Sequence, residues 1–176
     1  MIEIARTYTF EAPPDRVWQL LMDTKALASC IPGCGSLDPD PQTAGRYMIR
    51  LSVKLGAVMG MYDGSVELID IVPMQSYGLL AEGRGRPGFV KGKASIALSR
   101  DSDTTLLVVS GEVHTGGAIA RVGQRITKSA ARLMMDRFFT RLKAIAEGRA
   151  DSCGDELDAA EEALEDQEAA DEASQT

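Results

Sequence analysis

The sequence predicts an α+β protein in which a curved antiparallel sheet of six to seven strands wraps around one long C-terminal helix, with two short helices after the first strand. Three observations predict it. Residues 2–10, "IEIARTYTF", alternate apolar with polar side chains as a half-buried strand does. From Gly35 to about Thr115, further alternating runs are separated by Gly, Pro or Asp clusters, the punctuation of an antiparallel meander. From about Ala118 to Glu147 the apolar period changes from two to between three and four, which is helical.

Taken in order, the first strand leads into "APPDRVWQLLMD", whose prolines suit a helix entry and whose Val17, Trp18, Leu20 and Leu21 make an apolar face. "TKALASCI" follows as a second short helix with Thr24 as the expected N-cap, stopped by Pro32 and Gly33. The strand runs are then "GRYMIRLSVKL", "YDGSVELIDIV", "YGLLAEGRG", "GFVKGKASIAL" and "TTLLVVSGEVH". In the first of these Tyr47, Ile49, Leu51 and Val53 share one face and Met48, Arg50, Ser52 and Lys54 the other. On the long helix Ile119, Val122, Ile126, Ala130 and Leu133 form an apolar face that later shifts to Met134, Phe138, Leu142 and Ile145. Arg121, Arg125, Lys128 and Arg132 form a basic stripe opposite it. A sheet gripping a single helix leaves a tapered cavity between them, the helix-grip architecture.

At 44% hydrophobic and 26% charged residues the chain has an ordinary globular composition, long enough at 176 residues to bury a core without staples. The start reads as a strand rather than a signal peptide, and no apolar run approaches a membrane span. Three cysteines in no secreted framework point to a reducing cytoplasm. The net charge of -7 divides unevenly: the segment after residue 150 holds 11 of the 26 acidic residues and no Lys or Arg. Residues 1–150 hold the remaining 15 acidic and all 19 basic residues, a net of +4. The expected organisation is a ligand-binding domain at 1–149 and an acidic tail at 150–176, with too few large apolar residues to pack.

Six stretches, "VWQLLMD", "CIPGC", "VKLGAVMGMYDGSVEL", "GRGRPGFVKGKASIAL", "GGAIARVGQRI" and "RFFTRL", resemble the CoxG family of carbon monoxide dehydrogenase proteins, within the START-related (SRPBCC) superfamily. They occur in order between residues 17 and 142, and the acidic tail falls outside them. The resemblance implies an accessory protein rather than an enzyme, associated with a molybdenum hydroxylase and with the inner face of the cytoplasmic membrane. A hydrophobic cavity beside a membrane-linked partner makes a respiratory quinone or lipid the expected cargo, with no covalent cofactor. The alternatives are a docking or assembly adaptor that carries no ligand, and an enzyme like the superfamily's cyclases and hydratases.

The expected ligand-binding residues are Ile31, Tyr47, Ile49, Leu51, Val53, Val66, Leu68, Leu79, Val90, Ile96 and Val109, with Ile119, Val122, Ile126 and Leu133 from the helix. In "CIPGC" the two thiols have only Cys153 of the acidic tail and the lone His114 to complete a zinc site, so Cys30, Pro32, Gly33 and Cys34 are read as the lip of the cavity. Met59 and Met61, adaptable apolar side chains, join Arg121, Arg125, Lys128 and Arg132 as expected membrane or partner contacts. No catalytic or metal-binding residue is expected: the inferred cavity face offers no ionisable group beyond Tyr47, Tyr62 and Tyr77, and Glu112 and His114 face away from it. "GRGRPGF" leads into a strand rather than a helix, so it is no phosphate loop, and four Tyr, four Phe and one Trp are too few for nucleic-acid stacking.

Overall fold

A computed structural model describes residues 1–149; the acidic tail expected at 150–176 lies outside the described residues. Seven strands form one antiparallel sheet: β1 (Ile2–Phe10), β2 (Cys34–Pro39), β3 (Arg46–Val53), β4 (Gly60–Val72), β5 (Ser76–Gly85), β6 (Gly88–Asp101) and β7 (Thr104–Gly117). Their spatial order is β1-β7-β6-β5-β4-β3-β2, so the chain crosses to the far edge and returns by hairpins until β7 pairs with β1. The strand absent from the sequence reading is β2, whose "CGSLDP" is interrupted by a bulge between Cys34 and Ser36 and lacks a clean alternation.

Among the described residues four α-helices, α1 (Pro14–Leu21), α2 (Thr24–Cys30), α3 (Ala118–Arg121) and α4 (Gln124–Ala146), and a 3-10 turn at Gly56–Val58 complete the fold. Pro14 opens α1 at a position whose N–H has no helical acceptor anyway, and Val17, Leu20 and Leu21 are buried. The N-cap of α2 is Asp23, not Thr24: its carboxylate accepts from the N–H groups of Lys25 and Ala26 at 2.9 and 3.3 Å. The single long helix expected from residue 118 is also corrected. Gly123, at φ +99, is outside helical backbone space, so one short turn, α3, is separated from α4 there.

Strand register carries the apolar positions across one face of the sheet. Tyr8 lies opposite Leu107, Val109 opposite Ile96, Ile96 opposite Tyr77, and Leu79 opposite Leu68. The same parity places Glu3, Met61, Glu82, Lys93, Glu112 and His114 on the opposite, outer face. Covering the inner face are two hydrophobic clusters. The larger joins Phe10, Val17, Leu21, Leu107, Phe139 and Leu142 where α1, α2 and the C-terminal half of α4 meet β1, β6 and β7. Full burial of side chains such as Phe10, Leu107 and Leu142 contributes about 1.5–3 kcal/mol each. The smaller cluster, Leu55, Val58, Tyr62, Ile119 and Ala130, closes the other end.

Candidate functional site

Between the clusters the inner face is lined by apolar residues that neither core absorbs. Tyr47, Ile49 and Val66 are half-buried and belong to neither cluster. Beside them β5 and β6 present Ala81, Gly83 and Gly92, Ala81 pairing with both Val66 and Gly92. A Cβ built on Gly83 would meet nothing closer than Tyr62 at 3.8 Å, and one on Gly92 nothing closer than the Glu112 carbonyl at 3.7 Å. At these two positions a side-chain carbon would make only ordinary contacts, so the glycines hold the sheet floor lower than any other residue would. Gly64 and Gly111 differ, because a Cβ there would fall 1.9 and 2.5 Å from the carbonyl oxygens of Glu82 and Lys93. At those positions glycine permits close strand approach; at Gly83 and Gly92 it leaves a trough.

The structure divides the expected ligand-binding residues into walls and core. Tyr47, Ile49 and Val66 border the trough directly. Leu51, Val53, Val90 and Leu133 pack partly against the smaller cluster, and Leu68 and Leu79 partly against the larger one. Ile96 and Val109 are buried in the larger cluster and Ile119 in the smaller, so these three act as core. Val122 and Ile126 are half-buried on either side of the Gly123 break, and Ile31 is half-buried after α2. Gly83 and Gly92 were missed as site residues. Their signal was present in the alternation, which sets both on the face opposite Arg84, Lys91 and Lys93.

"CIPGC" is held against β3. Gly33, at φ +72, accepts the Ser52 N–H at 2.9 Å and lies so near that strand that a Cβ would sit 1.9 Å from the Ser52 oxygen. The Cys30 side chain is fully buried in the larger cluster and Pro32 is buried as well, so both act as core rather than as an opening. Cys34 is half-buried and its Sγ donates to the Ser36 carbonyl at 3.5 Å. Burial pushes its thiol above the ordinary range.

The inner face carries ionisable groups beyond the tyrosines expected from the sequence. Arg6 and Tyr8 on β1 both reach Asp136 of α4: Arg6 Nη2 lies 3.0 Å from Oδ2, and the Tyr8 hydroxyl donates to Oδ1 at 2.6 Å. Burial, then the bond and charge of Asp136, hold the Tyr8 phenol above its ordinary value against the opposing effect of Arg6. The parity of β1 puts Arg6 in line with Ile4 and Tyr8, and was the available signal. Burial likewise raises the phenols of Tyr77 and Tyr62, and the Tyr62 hydroxyl donates to the Val58 carbonyl at 2.7 Å.

Three connections converge at the end closed by the smaller cluster: residues 54–59, the β5–β6 turn and the segment from β7 to α4. Ile119 N–H donates to the Pro87 carbonyl at 3.0 Å, and Gly60 lies against the Pro87 ring. This tip exposes Met59, Met61 and Phe89 together with Lys54, Arg84, Arg86, Arg121 and Arg125. Residues 54–61, 84–90 and 115–129 contain no Asp or Glu, and none of those five cations forms an ion pair among the described residues. Arg84, Arg86 and Phe89 thus join the contacts expected from the sequence. Lys128 and Arg132 sit differently, bordering a groove of about 840 Å³ lined by Glu3, Lys93, Ser110 and Glu112 together with Ile4 and Tyr77. His114, 3.8 Å from Glu112, lines a neighbouring groove of about 330 Å³. No described helix is long and apolar enough to cross a membrane, and no group of three His, Cys, Asp or Glu fit to hold a metal occurs among the described residues.

Residues 7–147 match the family model that describes the CoxG subunit of carbon monoxide dehydrogenase. Among solved structures, a conserved protein from Geobacillus kaustophilus is 32% identical at a TM-score of 0.79, over 82% of this chain and 95% of that one. The fold is shared with the Zhui aromatase/cyclase from Streptomyces sp. R1128, at 16% identity and TM-score 0.64 over 86% and 97% of the two chains. It is also shared with a START superfamily protein from Mycobacterium smegmatis, at 12% identity and TM-score 0.61 over 83% and 97%. No curated protein matches the chain.

Proposed function

Because the chain belongs to the CoxG family of carbon monoxide dehydrogenase, we propose that it is an accessory protein of a molybdenum-hydroxylase system that carries a hydrophobic ligand, a respiratory quinone or a lipid, between that enzyme and the cytoplasmic membrane. The observation that carries this reading is the trough. Apolar side chains that a close-packed interior would bury stay half-exposed there, over a floor opened by Gly83 and Gly92. An apolar ligand would complete the core that the two clusters leave divided.

The tip supports the membrane half of the proposal. Five cations that form no ion pair among the described residues, around exposed Met59, Met61 and Phe89, suit a surface of anionic headgroups, at about 1 kcal/mol for each basic residue near it. Attraction of that size gives reversible docking at the inner face of the membrane, which delivery requires. An enzyme of the same fold has less support: the Arg6–Tyr8–Asp136 group is joined internally, and its phenol is held protonated.

The test is native mass spectrometry of protein purified without detergent, with organic extraction of the bound species, on the wild type and on Gly92→Leu. A Cβ at Gly92 would make only ordinary van der Waals contacts, with the Glu112 carbonyl oxygen at 3.7 Å and a Val113 methyl at 3.9 Å, so the new side chain can be attached there without a clash at its first atom. The expected result is a stoichiometric apolar mass in the wild type that is lost in the variant while its circular dichroism is retained. Equal occupancy in a folded Gly92→Leu protein would remove the trough as the site. A wild type that stays empty even with added quinone and lipid would leave the adaptor reading in its place.

A further inference from the structure

The five cations of the tip have no partner in the described fold, while the same chain ends in 27 residues with 11 carboxylates and no Lys or Arg. We propose that this acidic segment, residues 150–176, docks on the cationic tip formed by Lys54, Arg84, Arg86, Arg121 and Arg125 and covers it. Three points on the molecule support the assignment.

Reach is the first. The segment leaves the fold at Arg149, after the C-terminal end of α4, whereas Arg121 and Arg125 flank the start of that helix. The 23 residues of α4 span about 35 Å at 1.5 Å per residue. Twenty-seven residues extend to about 90 Å at most, so the distance leaves slack.

Competition is the second. Two cations close to the point of departure are already engaged: Lys143 lies 3.9 Å from Glu147, and Arg149 also pairs with Glu147. Arg16 and Lys25 sit within two residues of Asp15 and Asp23. Lys128 and Arg132 border the groove beside Ile4 and Tyr77, two cations against the five of the tip. The tip alone gathers five exposed cations from three connections with no acidic residue in any of them.

The third point is tethering. Each exposed ion pair contributes only about 0–1 kcal/mol, but several formed by one attached segment act at an effective concentration in the millimolar range. The contact would be multivalent, salt-sensitive and easily displaced by a denser array of negative charge.

The test requires no lipid, so its result is independent of whether the tip meets membranes. Backbone amide spectra are recorded on the full chain with a nitroxide at Ser174→Cys in a Cys34→Ser, Cys153→Ser background, Cys30 being buried in the core. The partner sample is the same chain with all eleven segment carboxylates changed to amides. The expected result is that amides of residues 54–61, 84–89 and 117–125 lose most of their intensity at low salt. They recover it in the amide variant and at about 1 M salt, where the screening length is about 3 Å. Full intensity at the tip in low salt overturns the proposal. So does broadening centred on another surface, or broadening that grows with protein concentration and therefore arises between molecules.

Discussion

Substitution of Gly33 by alanine separates the two demands that the "CIPGC" turn places on glycine, and Gly148 supplies the control. Both residues have nearly the same left-handed backbone, at φ +72 and +73, but a Cβ at Gly148 would meet nothing within 4 Å. Gly148→Ala therefore isolates the conformational cost of an L residue there, about 1–2 kcal/mol. Gly33→Ala incurs the same cost and also drives a methyl group to 1.9 Å from the Ser52 oxygen. Relieving that clash moves the turn off β3, at about 1–3 kcal/mol for overpacking, and weakens the 2.9 Å Ser52-to-Gly33 hydrogen bond, worth about 0.5–1.5 kcal/mol. The total is about 2.5–6.5 kcal/mol. At about 2–4 °C per kcal/mol for a domain of this size, Tm falls by about 5–26 °C in Gly33→Ala and by about 2–8 °C in Gly148→Ala. Thermal unfolding followed by circular dichroism measures both. Equal shifts in the two variants would refute the claim that the turn is clamped to β3, leaving only backbone handedness to explain the glycine.

Two further outcomes follow from the site. Tyr8 has a phenol raised by burial and by Asp136, so the folded state holds its proton more tightly than the unfolded state. Its contribution to stability is complete below the unfolded value near 10 and is lost as pH rises above it, at up to about 1.4 kcal/mol per pH unit. Urea unfolding between pH 9 and 11 is expected to show that slope reduced in Tyr8→Phe, whereas an unchanged slope would assign the alkaline loss to other groups. At the tip, combined replacement of Arg84, Arg86, Arg121 and Arg125 by Gln is expected to weaken sedimentation with vesicles containing phosphatidylglycerol by about 1 kcal/mol per residue, with no effect on purely zwitterionic vesicles. Undiminished binding to the anionic vesicles would move the membrane contact elsewhere on the protein.

The fold was legible wherever local period and burial agree. β3 alternates because one of its faces is covered, and α4 repeats at three and four because its apolar stripe meets the sheet. The break at Gly123 was not legible: glycine in a helical pattern is often tolerated, and only its positive φ in the folded chain splits α3 from α4. β2 escaped notice for a related reason, since its pairing with β3 is fixed across a bulge by partners from Tyr47 to Leu51, beyond the turn that follows it. Asp23 displaced Thr24 as N-cap by one position, a difference that depends on backbone angles rather than residue type.

By itself the sequence determined the class of architecture, the charge division between body and tail, and which side chains share each strand face, because strand period and composition are local properties. The tertiary structure alone decided which of those faces became wall and which became core. Ile96 and Tyr47 both stand on inner-face positions, yet Ile96 meets Phe10, Leu107 and Leu142 in the larger cluster while Tyr47 stays half-exposed. The same holds for charge. Arg84, Arg86, Arg121 and Arg125 lie up to 41 positions apart in sequence, and only the meeting of the Pro87 turn with α3 brings them to one tip. Contacts of this kind depend on how distant segments converge, and a sequence pattern encodes spacing along the chain rather than across it.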